Sequence, residues 1–184
     1  MPPLEISSPF EESTIKKLRT GDIVTISGKI YTARDAAHER LASAIEQGNP
    51  LPFRLSGHTV YYMGPSPAPP GRVIGSCGPT TSSRMDIYTP AMLEAGVAAF
   101  IGKGERSEYV KKALRRHGAV YFVTYGGAGA LLARSVLRAE VIAYPELGAE
   151  AAMKLEVKSF PAIVAYDIYG GDLFSSEIPR YARL

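Results

Sequence analysis

The stretch Val97-Ala-Ala-Phe-Ile-Gly-Lys-Gly-Glu-Arg-Ser-Glu-Tyr-Val-Lys-Lys-Ala-Leu-Arg-Arg-His-Gly-Ala-Val-Tyr-Phe-Val-Thr-Tyr125 decides the fold class. Val97–Ile101 is apolar throughout, the pattern of a strand buried on both faces. It delivers Gly102-Lys103-Gly104 at its carboxyl end. Ser107–His117 switches to helical spacing, with Val110, Ala113 and Leu114 on one face and Gly118 as the stop. Ala119–Tyr125, rich in Val, Tyr and Phe, returns to strand.

The alternation extends outward. Upstream, Asp22–Ser27 alternates with β-branched residues and reads as a strand, which Lys29–Tyr31 continues past a bulge at Gly28. Thr32–Gln47 is the clearest helix, with Thr32 as its expected N-cap and Asp35 in the place of a capping-box acid. Thr59–Met63 is a strand, Gly64–Gly71 a stiff proline-rich connector, and Arg72–Ser76 another short strand. Cys77–Asp86 reads as a Gly-Pro turn entering a helix, and Thr89-Pro90 starts a second helix that Gly96 ends. Downstream lie a glycine-led helix at Gly126–Arg134 and short strands at Glu140–Ala143, Leu155–Val157 and Ala162–Tyr166. Residues 1–12 read as an irregular arm, followed by a short helix at Ser13–Arg19. The sum predicts one α/β domain over residues 1–184, layered around a mixed central sheet, with a site built from glycine-marked loops at one sheet edge.

Composition narrows the function. No apolar run approaches the roughly 18 residues that span a bilayer, and the first residues lack signal-peptide regions. A single cysteine, Cys77, argues against a disulfide framework or a multi-cysteine metal site within the chain, and His38, His58 and His117 are dispersed. A cytoplasmic, reducing compartment is expected, with no membrane partner. A formal charge of +3 without long Lys/Arg runs is too weak for nucleic acid and suits a small anionic ligand.

Gly78-Pro-Thr-Thr-Ser-Ser-Arg-Met-Asp86 is the segment richest in chemistry. A turn into a helix exposes N–H groups, Thr80 to Ser83 add hydroxyls, and Arg84 can grip a carboxylate through parallel N–H bonds. A capped helix with a solvated arginine is the competing reading. Lys103, between two glycines after a buried strand, is either a ligand-facing cation or a turn lysine. Arg34 stands at a helix start, against the dipole preference, and either binds an anion or snorkels to water. His38 and Cys77 read as structural, Gly126-Gly127 and Gly129 as close packing, and Asp167 as the start of a turn. Three cations beside glycine turns, with hydroxyls nearby, make a small di-acid the natural ligand.

These segments carry a family resemblance. Gly28-Lys-Ile-Tyr-Thr-Ala-Arg-Asp-Ala-Ala-His38, Gly64-Pro65, Gly75-Ser-Cys-Gly-Pro-Thr-Thr-Ser-Ser-Arg-Met-Asp86, Ile101-Gly-Lys-Gly104 and Gly126-Gly-Ala-Gly129 resemble, in order, the β subunit or C-terminal domain of the iron–sulfur hydro-lyases. That family includes class I fumarases and L(+)-tartrate dehydratase. The resemblance implies a swivelling β/β/α-type domain. It implies a [4Fe–4S] cluster on a separate α subunit, none ligated by this chain, and therefore a hetero-oligomer. By motif, Arg34, Arg84 and Lys103 would hold substrate carboxylates, and Thr80 would be the catalytic base or proton carrier. The activity implied is reversible hydration of fumarate to (S)-malate, with L(+)-tartrate dehydration as the alternative. A non-catalytic dicarboxylate-binding or assembly module is the reading from another class.

Overall fold

Short apolar strands with both faces hidden need a layer on each side. The computed structural model, which describes residues 2–182, provides both. The strands are β1 (Leu4–Ser8), β2 (Ile23–Thr32), β3 (Thr59–Tyr61), β4 (Ala99–Gly102), β5 (Val120–Val123), β6 (Val136–Ala143) and β7 (Ala152–Tyr166). The helices are α1 (Glu12–Ile15), α2 (Asp35–Glu46), α3 (Thr89–Glu94), α4 (Glu108–His117), α5 (Gly129–Leu132) and α6 (Leu173–Tyr181). A 3-10 helix, Ser82–Tyr88, runs directly into α3.

Strands β1 to β5 lie side by side and parallel in chain order. The long β7 runs antiparallel to both β5 and β2, so the ladder β2-β3-β4-β5-β7 closes on itself. β1 extends the free side of β2, and β6 pairs antiparallel with β7. The mixed sheet of an α/β domain is therefore present, and its alternation defines two cores. Val24, Ile26, Ile30, Tyr61, Ile101, Val120, Phe122 and Phe160 point inside the closed ladder. Val60, Tyr62, Phe100 and Tyr121 point outward, beneath Leu41 of α2, Leu93 of α3 and Leu114 of α4. Each fully buried large apolar side chain contributes about 1.5–3 kcal/mol.

The helices follow from local chemistry. α4 has Glu108 in its first turn, Arg115, Arg116 and His117 in its last, and Gly118 in the left-handed region (φ 65°) as its stop. No helix among the described residues is long and apolar enough to cross a membrane.

Several expectations are corrected. The irregular arm contains β1, paired in register from Leu4–Val24 to Ser8–Gly28. Flanking prolines obscured an alternation that buries only Ile6 and Ser8. The short helix after it is Glu12–Ile15 rather than Ser13–Arg19. Thr32 caps no helix: it closes β2, its Oγ1 accepting from the Met153 N–H at 3.2 Å. Arg34 takes the N-cap position of α2 with no side-chain cap. Arg72–Ser76 forms no strand. α3 starts at Thr89 as expected, with Tyr88 in the N-cap position. Glu140–Ala143 is the second half of β6, and the two short strands after it are one continuous β7. Pro161 lies inside this strand, opposite Thr25 and beside a bulge. There β7 advances three residues, Phe160 to Val157, against two on β2, Ile26 to Gly28. α6 was not expected; Asp172 caps it, accepting from Phe174 and Ser175 N–H.

Candidate active site

Parallel strands deliver their carboxyl ends to one edge, and loops there are the usual seat of a ligand. Here the ends of β2, β3, β4 and β5 lead into Ala33-Arg34, Tyr62–Gly64, Lys103-Gly104 and Thr124–Gly126. The 78–82 loop crosses the same edge. The Thr80 N–H donates to the Tyr62 carbonyl at 2.7 Å, Thr81 pairs with Lys103 in a parallel bridge, and the Ser82 N–H donates to the Lys103 carbonyl at 3.0 Å. The Lys103 N–H in turn donates to Ser82 Oγ at 3.0 Å. Thr80 and Lys103 are thus held at this edge by their backbones. Lys103 forms no ion pair among the described residues.

The two arginines meet the edge from α2 and the 3-10 helix. Arg34 Nη2 lies 3.2 Å from Glu150 Oε1 and 3.9 Å from Asp35 Oδ2. Arg84 Nη2 lies 2.6 Å from the same Asp35 oxygen. One carboxylate oxygen therefore faces both guanidinium groups. Gly64 packs against the Arg34 stem: a Cβ there would stand 2.8 Å from Arg34 Cδ. Gly126 flanks Lys103 more loosely: a Cβ there would stand 3.6 Å from Lys103 Cδ, an ordinary contact. The Arg84 side chain is 48% exposed, so its pair with Asp35 is worth about 0–1 kcal/mol. A ligand carboxylate can displace Asp35 at little cost.

The structure thus brings Arg34, Thr80, Arg84 and Lys103 to one sheet edge. It corrects how an anion would be held there. The segment after Gly78-Pro79 is a 3-10 helix rather than an α-helix, and the Thr80 and Ser82 N–H groups are already taken by Tyr62 and Lys103 carbonyls. Those two N–H groups are therefore not open to an anion.

Beneath the edge lies a polar network absent from the sequence reading. Arg106, with no exposed side-chain surface, donates through Nε to Asp86 Oδ1 at 2.6 Å, through Nη1 to Tyr62 OH at 3.1 Å and through Nη2 to Thr89 Oγ1 at 2.6 Å. The other Asp86 oxygen accepts the Ser107 N–H at 2.8 Å. No periodicity flags an arginine in a loop, although Asp86 belongs to the quoted motif.

His38 is fully buried, with Nδ1 2.9 Å from the Arg34 carbonyl. Burial pushes its pKa down to about 4, so it is neutral at pH 7, with Nδ1–H as the donor and Nε2 unpartnered. Burial raises the Cys77 thiol to about 11, leaving it protonated, and Gly129 packs closely on the Cys77-Gly78 backbone. Asp167 accepts N–H bonds from Thr20, Tyr169 and Gly171, as a turn acid does. No group of three or more His, Cys, Asp or Glu among the described residues could hold a metal ion. With one buried, protonated cysteine, these residues do not fit the ligand set of an iron–sulfur cluster.

The chain is similar to several known proteins. The aerobic class I fumarate hydratase of Salmonella typhimurium is 40% identical over 153 residues, 82% of this chain and 26% of that protein. The anaerobic class I fumarate hydratase of Escherichia coli is 37% identical over 181 residues, 96% of this chain and 33% of that protein. The chain therefore spans a third or less of the length of these two relatives. The putative L(+)-tartrate dehydratase subunit beta of Methanocaldococcus jannaschii is 40% identical over 166 residues, 87% of this chain and 85% of that protein. The family model described as Fumarase C-terminus matches residues 3–177, and the chain belongs to that family.

Proposed function

We propose that this chain is the β subunit of a two-subunit fumarate hydratase, binding the dicarboxylate and handling its proton. The observation that carries the reading is the convergence of Arg34, Thr80, Arg84 and Lys103 on one edge of a domain related to the end of class I fumarate hydratases. The cluster of such an enzyme is assigned to an α subunit, since this chain's residues do not fit one.

Arg34, Arg84 and Lys103 bind the two carboxylates of fumarate or malate. Removing a proton from the carbon beside a carboxylate spreads a second negative charge onto that carboxylate. Fixed cations at the edge stabilise that charge as it develops. The Thr80 hydroxyl takes or returns the proton. Threonine is a weak base in water, so the role requires the nearby cations to favour its deprotonated form. The β-subunit arrangement is supported by a Methanocaldococcus relative of similar length that is itself named a subunit. The same relative favours a second reading, L(+)-tartrate dehydratase, whose substrate carries one more hydroxyl.

The test is anaerobic capture of the tagged chain from its host, with iron and hydration activity measured in the eluate. An iron-containing partner with activity on malate faster than on tartrate is the expected result. Faster tartrate turnover would assign the second reading. A chain that elutes alone and inactive, with its partner expressed and intact, would leave a non-catalytic binding module. In the assembled enzyme, Arg84→Ala lowers kcat/KM by about 10- to 100-fold, the loss expected for charge-assisted hydrogen bonds of roughly 1.5–3 kcal/mol. Unchanged kinetics would remove Arg84 from the site.

A further inference from the structure

We infer that the buried Asp86–Arg106 pair is a positioning device that fixes Arg84 relative to Lys103; this rests on the dicarboxylate-site reading above. The two cations sit on separate segments, the 3-10 helix Ser82–Tyr88 and the loop after β4. Those segments are joined at two places. The first is the exchange of hydrogen bonds between Ser82 and Lys103, N–H to carbonyl and N–H to Oγ, each 3.0 Å. The second is the Asp86 carboxylate, which accepts from Arg106 Nε at 2.6 Å and from the Ser107 N–H at 2.8 Å. Arg84 lies between the two fastenings on one segment. Lys103 is part of the first on the other, three residues before Arg106.

The second fastening reaches further than a local contact. The Arg106 fork also holds Tyr62, whose carbonyl accepts the Thr80 N–H, and Thr89 at the start of α3. Its backbone N–H donates to Tyr166 OH at 3.1 Å. Its guanidinium lies 5.2 Å from the ring centres of both Tyr62 and Tyr121. Tyr121 OH lies 2.9 Å from Ser82 Oγ and donates to the Gly104 carbonyl at 2.8 Å, so the network also meets the first fastening.

Stability is a poor reason for such a pair. Desolvation of two buried charges offsets much of their attraction, and apolar side chains of similar volume often do as well or better. Apolar packing cannot fix direction. A planar fork with a donor on each of three partners sets both angle and distance between its segments. Small displacements of groups that bind the reacting molecule carry large kinetic costs.

The test is a double-mutant cycle in the enzyme assembled with its partner, using Arg84→Ala, Asp86→Asn and both together, read as kcat/KM for malate and fumarate per folded enzyme. Asp86→Asn alone is expected to cost about tenfold. In the Arg84→Ala background it is expected to cost less than about threefold, because the group it positions is gone. Equal costs in both backgrounds would overturn the inference, as would a fall in thermal midpoint with unchanged kinetics. If Arg84→Ala itself has no effect, the site reading fails instead. Thr89→Val, which removes the Nη2 partner together with the Thr89 Oγ1 bond to the Met85 carbonyl, serves if Asp86→Asn does not fold. It is expected to show the same coupling to Arg84→Ala at smaller amplitude, and additive costs would again overturn the proposal.

Discussion

Gly102 shows how closely the site is built at single atoms. A Cβ on it would fall on Ser82 Oγ and 2.9 Å from the Tyr62 ring, both part of the scaffold under Lys103. Gly102→Ala must push Ser82 away and break the Lys103 N–H bond to its hydroxyl. The expected cost is about 1–3 kcal/mol of stability, by thermal denaturation, with a larger proportional loss of activity. His38 offers a second residue-level measurement. Its folded pKa is about 4, against an ordinary value of about 6.5 in the unfolded chain. Between those values the unfolded chain holds more protons, so stability falls as pH drops from about 6.5 to about 4 and levels below. The full linkage is about 3 kcal/mol. His38→Asn, which can keep the donor to the Arg34 carbonyl, should flatten the difference between urea unfolding at pH 7 and pH 4.5. An unchanged pH dependence would show that His38 is not the group responsible.

At the scale of elements, what could be read from the chain was what local periodicity controls. α2, α4 and the strands β3 to β5 carry their own apolar pattern, and the glycines after β3, β4 and β5 mark the edge where the cations gather. The remainder depended on partners distant in sequence. β1 exists because Ile6 and Ser8 find β2, and β7 runs through Pro161 because a bulge accommodates it. The 3-10 form of Ser82–Tyr88 places Asp86 against Arg106, twenty residues on, which no spacing rule encodes. Arg34 belongs to the same class of facts: its stem is fixed by Gly64 at the end of the neighbouring strand segment. Gly64→Ala would strike the Ala149 carbonyl at 2.5 Å and Arg34 Cδ at 2.8 Å. The expected outcome is a rise in KM of several-fold, with a melting temperature reduced by a few degrees. A normal KM in a folded variant would place Arg34 outside the binding edge.

The whole molecule is organised so that the site cannot outlive either core. In β4, Ala99 and Ile101 face the closed ladder while Phe100 faces the helices; in β5, Val120 and Phe122 face inward while Tyr121 faces out. The same short strands therefore form a wall of both cores, and neither core can loosen without moving the backbone of the other. Phe122→Ala and Phe100→Ala empty opposite sides of that wall. Each is expected to cost about 3–5 kcal/mol. Both should shift one shared transition rather than uncover an intermediate. Tyrosine fluorescence checks this, because Tyr61 reports from the inner core and Tyr62, Tyr121 and Tyr166 from the outer one. Its midpoint in urea should coincide with that of far-UV circular dichroism in the parent and in both variants. Separated midpoints in either variant would mean that the cores unfold apart. Coincidence would mean that the loops carrying Arg34, Thr80, Arg84 and Lys103, attached to the ends of these strands, are lost in the same step as the cores that hold them.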